Sequence, residues 1–212
     1  MKIAVIAANG RTGRLFVAAA LAAGHEVRAG IRGANPFSPI KGLDMFPCDA
    51  TSRSDVERLL EGQDAVVSFI GHVKGSPVRV QTDATKTILA AMNTFAIKRI
   101  VSLTGTGVRF PADTITFMDR VLNASISLVD PNRVQDGIEH VDILKASDAE
   151  WTVLRVLKLQ NTISKPFTLK ENGPTKLYVS REDVALAALQ VLEAGSFIRK
   201  APMLSIADKK AD

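Results

Sequence analysis

Short runs of Val, Ile, Leu and Ala alternate along this chain with longer stretches whose apolar residues recur every three to four positions. Short apolar runs bounded by glycine, proline or polar residues are the pattern of strands buried on both faces, and the longer stretches that of helices covering them. The pattern predicts strands over residues 2–7, 26–31, 44–47, 65–70, 99–103, 151–154 and 203–206. It predicts helices over 12–23, 54–60, 78–95, 138–146 and 180–193, with Ser54 and Ser180 as N-caps and Asp183 reaching back in a variant capping box. Two stretches interrupt the alternation, 110–134 with helical pattern and no strand, and 159–178 with Pro166, Gly173 and Pro174 around short extended pieces. Both are expected to cover the C-terminal edge of the sheet. Neither a repeat nor a linker divides residues 1–212.

The first strand runs into Ala7-Ala8-Asn9-Gly10-Arg11-Thr12-Gly13 and then directly into an alanine-rich helix. In that order of strand, loop and helix, Gly10 lets backbone approach a pyrophosphate and Gly13 lets helix and strand pack closely. The helix N-terminus offers free N–H groups to the anion. The expected architecture is therefore one α/β domain, three layers α/β/α around a doubly wound parallel sheet of Rossmann type, binding a dinucleotide at Ala8, Asn9, Gly10, Arg11, Thr12 and Gly13. The second strand ends at Ile31-Arg32, where a protein selecting a free ribose hydroxyl would carry Asp or Glu. A guanidinium there favours a 2′-phosphate, so the expected cofactor is NADP(H) in preference to NAD(H).

Composition narrows the picture little. Hydrophobic residues make up 46% and charged residues 23%, and the net charge is +5, with basic residues dispersed and no run longer than a pair such as Lys209-Lys210. Dispersed charge is no nucleic-acid footprint. Cys48 is the only cysteine, which excludes an intrachain disulfide and a cysteine metal cluster and fits a cytoplasmic setting. The N-terminal apolar run is broken by polar residues 9–14, and no stretch is long enough to span a membrane, so no membrane association is expected. The protein is expected to act as a monomer or homodimer on a small molecule.

These residues together resemble the atypical short-chain dehydrogenase/reductase group, in particular the NAD(P)H-binding proteins similar to flavin reductase/biliverdin-IXβ reductase and to NmrA. Ala7 to Gly13 resembles the group's Gly-Ala-Thr-Gly-x-x-Gly loop, with Ala7 where the family has its first glycine and Asn9 where it has threonine. Pro47-Cys48-Asp49-Ala50 is similar to the segment beside adenine, and Ile70-Gly71-His72 to the one that passes the cofactor ribose. The resemblance therefore implies cofactor contacts at Asp49, Ala50, Ile70, Gly71 and His72. Leu154-Arg155 is similar to a recurrent Leu-Arg-Pro, with Val156 in the proline position.

The Tyr-x-x-x-Lys dyad of short-chain dehydrogenases is excluded, because Tyr178 is the only tyrosine and Glu182 stands four residues on. Tyr178 is expected to pack near the late insertion. Gly-x-Ser-x-Gly and Gly-Lys-Ser/Thr are missing, and His25, His72 and His140 lack metal-ligand spacing, so no metal site is expected. The acceptor chemistry that remains is hydride transfer to a planar, conjugated molecule, a flavin, tetrapyrrole or quinone. Thr104, after the fifth strand, and Lys158 are the candidate catalytic residues, and Thr104 is also a candidate for holding the nicotinamide amide. The alternative for Thr104 is a hydroxyl satisfied within Thr104–Gly107, and for His72 a solvated loop histidine. His140, within a helix, is expected farther away. The competing functional class is a non-catalytic NADP(H)-sensing regulator resembling NmrA.

Overall fold

Alternation of burial along the first strand sets up the whole architecture. In the computed structural model, which describes residues 1–206, Ile3 and Val5 of β1 (Lys2–Ile6) join one apolar cluster, while Ala4 and Ile6 join another. Successive side chains of a strand point to opposite faces, so the clusters lie on opposite sides of the sheet. On the first side Phe16, Val17 and Ala20 of α1 (Arg11–Ala22) pack with Val184 to Leu192 of α6 (Arg181–Glu193). The second side is covered by α2 (Arg53–Leu60), α3 (Val80–Thr94) and α5 (Pro131–Ala146), through Leu59, Met92 and Leu144 among others.

Between these layers, seven parallel strands and one antiparallel strand form a single sheet. Beside β1 lie β2 (Glu26–Ile31), β3 (Leu43–Pro47), β4 (Ala65–Ser68), β5 (Arg99–Gly105), β6 (Glu150–Val156) and β10 (Met203–Ile206). The order is β3-β2-β1-β4-β5-β6-β10-β8, with β8 (Phe167–Lys170) antiparallel at the edge. All seven predicted strands are present. The molecule is a single α/β domain of Rossmann type, and the reversal of strand order between β1 and β4 opens the crevice where such sheets bind ligands.

Several boundaries differ from expectation for identifiable reasons. The N-cap of α2 is Ser52, whose hydroxyl accepts from the Asp55 N–H; Ser54 lies inside the helix. At α6 the cap is Ser180 as expected, but its hydroxyl accepts from Glu182 N–H, and Asp183 closes no capping box. Instead Asp183 accepts from the Ser164 hydroxyl at 2.7 Å and the Lys165 N–H at 3.1 Å, because the preceding loop brings those donors to it. Helix α5 starts seven residues before the predicted Ile138, at Pro131, with Asp130 as its cap. Pro131 has no N–H to lose there.

The region 110–134 contains a further helix, α4 (Phe117–Val129), besides the start of α5. Within 159–178 the chain divides: β8 extends the main sheet, while β7 (Lys158–Gln160) and β9 (Tyr178–Ser180) pair as a separate parallel ribbon. The Lys209-Lys210 pair lies outside the described residues.

Candidate functional site

The loop after β1 builds one wall of a cleft of about 810 Å³ along the C-terminal ends of the strands. Ala7 has φ +58°, and its carbonyl turns back to accept from the Gly10 N–H at 3.0 Å. Gly10 is the extended N-cap of α1 and supplies no side-chain cap, so the first-turn N–H groups of Arg11, Thr12 and Gly13 have no intrahelical partner. All three residues line the cleft. A Cβ on Gly13 would overlap the Ala7 carbonyl and sit 2.8 Å from that of Ala8, which is why only glycine brings helix and strand this close. Asn9 lines the cleft and donates from Nδ2 to the carbonyls of Arg32 at 2.9 Å and Ala34 at 3.1 Å, fastening the loop to the end of β2. Ala8 stands apart from its expected role: its side chain is buried in the core, its N–H bonds to the Gly30 carbonyl, and it does not line the cleft. A cradle closed to any side chain and a helix start free of caps fit a diphosphate.

Beyond β2, exposed Arg32 lines the cleft with Asp49, Ala50 and Thr51. The Thr51 N–H at 2.9 Å and hydroxyl at 2.7 Å both bond Asp49 Oδ1. These two bonds, aided by the Arg32 charge and opposed by burial, hold the Asp49 carboxyl below its ordinary range. Cys48 lines the same end, its thiol pushed up to about 12 by burial first and then by Asp55 and Asp49.

The other end of the cleft is made by the ends of β4, β5 and β6 and by α4. Ile70, Gly71, His72, Thr104 and Lys158 all line it, as do the apolar side chains of Phe69, Leu103, Leu122, Ile126, Val134 and Leu159. Thr104 is buried, with Gly137 packed so closely that a Cβ there would meet its hydroxyl at 2.8 Å. The neighbouring Thr106 turns away, donating to Asp119 Oδ1 at 2.8 Å. His72 is no solvated loop histidine, since its Nε2 donates to the buried carboxylate of Asp136 at 2.7 Å. Lys158 holds its ammonium 5.3 Å from the ring centroid of Tyr178. Tyr178 itself is 48% exposed and does not line the cleft, contrary to its expected packing role, because β9 places it on the outer side of the ribbon. His140 is fully buried beneath the site, its Nε2 3.1 Å from the Ser102 hydroxyl.

Four residues that sequence reasoning passed over complete the site. Gln81 donates from Nε2 to the carbonyls of Ile70 at 3.0 Å and Leu103 at 3.2 Å, tying together the ends of β4 and β5. Asp136, on α5, reaches across to the start of α3, and no local pattern marks it. Asn123 lines the cleft from α4 and bonds Thr106 and Asp119. Arg181, buried at the first position of α6, lines the cleft and donates to Asn161 Oδ1 at 2.7 Å. Its guanidinium is pushed down by burial and then by the Arg11 charge. Here the sequence carried a signal, since a cation at a helix N-terminus opposes the helix dipole. Among the described residues no group of three His, Cys, Asp or Glu is placed to hold a metal, and no helix is long and apolar enough to cross a membrane.

Solved structures share this architecture. A short-chain dehydrogenase/reductase from Veillonella parvula superposes with a TM-score of 0.82 at 16% identity, covering 97% of this chain and 94% of that one. A second from the same organism, solved in complex with NADP, has a TM-score of 0.79 at 18% identity over 96% of this chain and 93% of that one. A candidate NADH-flavin reductase from Streptococcus pneumoniae gives 0.79 at 21% identity over 96% and 98%. The model of a protein family described as NAD(P)H-binding matches residues 7–194, from the turn at Ala7 to the end of α6. With the glycine cradle and the uncapped helix start both inside that span, the chain belongs to the NAD(P)H-binding family.

Proposed function

We propose that the protein is an NADPH-dependent reductase of a planar, conjugated acceptor of flavin, tetrapyrrole or quinone type. The observation that carries the reading is Arg32, lining the cleft at the end of β2 where a carboxylate would repel a 2′-phosphate. Arg32 and Asp49 bracket the adenosine end, and the first turn of α1 faces the diphosphate. The chemistry supplied by the bound dinucleotide is hydride donation. Phe69, Leu103, Leu122 and Ile126 give the far end an apolar surface suited to a flat ring system, and Thr104 lines the same end. Asn9, Gly10, Arg11, Thr12, Gly13, Ala50, Ile70, Gly71 and His72 are the further cofactor-facing residues of this reading, in a reducing, cytoplasmic setting.

The test is to titrate NADPH and NADH separately and to follow NADPH oxidation with flavins, quinones and biliverdin. NADPH is expected to bind the more tightly, and Arg32→Ala to weaken NADPH about tenfold or more while leaving NADH nearly unchanged. Equal affinity for both dinucleotides in the wild type removes the role given to Arg32. The second reading, an NADP(H)-sensing regulator, is favoured by one observation. On α4, the helix that lines the cleft through Leu122 and Ile126, Phe117, Leu128 and Val129 are 79%, 85% and 84% exposed. That reading expects dinucleotide binding and no turnover with any acceptor.

A further inference from the structure

Hydride transfer to a conjugated acceptor leaves it with an extra electron pair and needs a proton to finish the reduction, yet the usual tyrosine is missing from the cleft. The side chains lining the cleft leave few sources. Arg133 and the other arginines there do not release protons at neutral pH, Cys48 is pushed up to about 12, and Asp49 is held ionised by Thr51. The Thr104 hydroxyl is not acidic, and Lys158 lies over Tyr178 at the outer rim.

His72 differs from all of these in having a built support. Asp136 accepts from His72 Nε2 at 2.7 Å, and its two oxygens also take the N–H groups of Gln81 and Thr82 at 2.9 Å each. Burial raises the Asp136 carboxyl, but the bonds from Thr82, Gln81 and His72 outweigh it and keep the group below its ordinary range. An ionised carboxylate only accepts, so Nε2 carries its hydrogen in both charge states of the ring. Nδ1 is then the atom that gains and loses the proton. The ring is fixed from behind at the start of α3, while the residue lines the cleft.

Building on the reductase reading, we propose that His72 is the proton donor to the acceptor and that Asp136 is its positioning residue. Two electrons and one hydrogen pass to the acceptor from the reduced dinucleotide. The acceptor's new electron pair takes the proton from His72 Nδ1, and the neutral ring is reloaded from solvent. The charged groups facing His72 are Asp136 and Arg133 from α5, the latter donating to the His72 carbonyl at 3.4 Å and pairing with Asp130. The Arg79–Glu139 pair at 2.6 Å lies between α3 and α5. His140 is buried behind Asp136 and uncharged at neutral pH, lowered to about 4 by burial.

The test has two independent readouts on the full chain. In kcat against pH with NADPH and whichever acceptor the wild type reduces, the rate should fall on the alkaline side. His72→Gln, whose amide can still donate to Asp136, should lose about a hundredfold in kcat at saturating NADPH together with that limb. Nitrogen NMR of the three histidine rings should show neutral His72 protonated at Nε2, with His72 alone among the three shifting when NADP+ is added. A His72→Gln enzyme with wild-type kcat and pH profile overturns the proposal and leaves the reductase reading standing, as does a neutral ring protonated at Nδ1. A wild type that binds NADPH and reduces no acceptor overturns the reductase reading and the proposal with it.

Discussion

Ala7 is the residue at which the phosphate loop departs from glycine, and the backbone there makes no concession to the methyl group. Its φ of +58° is the left-handed region, which costs a non-glycine residue about 1 kcal/mol. The conformation is kept because it aims the Ala7 carbonyl at the Gly10 N–H. Ala7→Gly should therefore leave stability unchanged or raise it by up to about 1 kcal/mol, relief of strain offsetting the entropy glycine adds to the unfolded chain. Urea denaturation reads this directly, and a loss of more than about 1 kcal/mol would mean that the turn stores no strain. The departure was visible in the sequence as an alanine where similar loops carry glycine. So were Gly13 and Arg32, because strand, loop, helix and second strand follow one another closely. Asp136 and Gln81 were not legible, since they act across 11 to 64 residues of chain through side chains whose targets are brought within reach only by folding.

Helix α5 packs on the sheet through a buried face that includes one histidine. His140 Nε2 meets the Ser102 hydroxyl of β5, while Nδ1 is buried with no partner. Burial drives the ring down to about 4 from its ordinary 6.5, against a small upward pull from Asp136. A depressed histidine stabilises the fold fully above its unfolded value, and the contribution is lost as pH falls from about 6.5 toward 4, because the unfolded chain takes up the proton first. The loss should reach about 3 kcal/mol across that window. Asp113 and Asp136, both held below the usual carboxylate range, act only at lower pH. Thermal or urea midpoints of the wild type should thus fall across the window, and His140→Met should flatten the dependence; an equal slope in both would place the effect elsewhere. At this scale, long apolar elements were legible and short ones were not. The strands β7 and β9 have three residues each, too few for a periodicity, and α4 was seen only as undivided helical pattern. The Asp130-Pro131 step that separates it from α5 is a start signal the longer pattern hid.

Across the whole molecule, one buried ion pair joins the sheet to the segments around the cleft. Arg155 of β6 is 1% exposed and holds Asp113 through two bonds of 2.5 and 2.7 Å. The same guanidinium donates to the carbonyls of Val108, Glu171 and Ala201, and Phe110 lies 4.6 Å from it. It therefore links β6 to the β5–α4 connection, the end of β8 and the approach to β10. Asp113→Ala leaves the cation buried and unpaired, and should cost about 3–5 kcal/mol in a denaturation experiment. A cost under about 1 kcal/mol would show that the carbonyls suffice.

Cys48, finally, bears on how long such a catalyst would last. Quinones and related conjugated acceptors are electrophiles that arylate thiolates, and this protein's one thiol stands in the cleft that would receive them. With its proton held up by burial and by Asp55 and Asp49, the thiol carries very little of the reactive anion at neutral pH. The protein should survive repeated exposure to an acceptor that poisons ordinary cysteine enzymes. N-ethylmaleimide should label the native chain at least about a hundredfold more slowly than the urea-unfolded one.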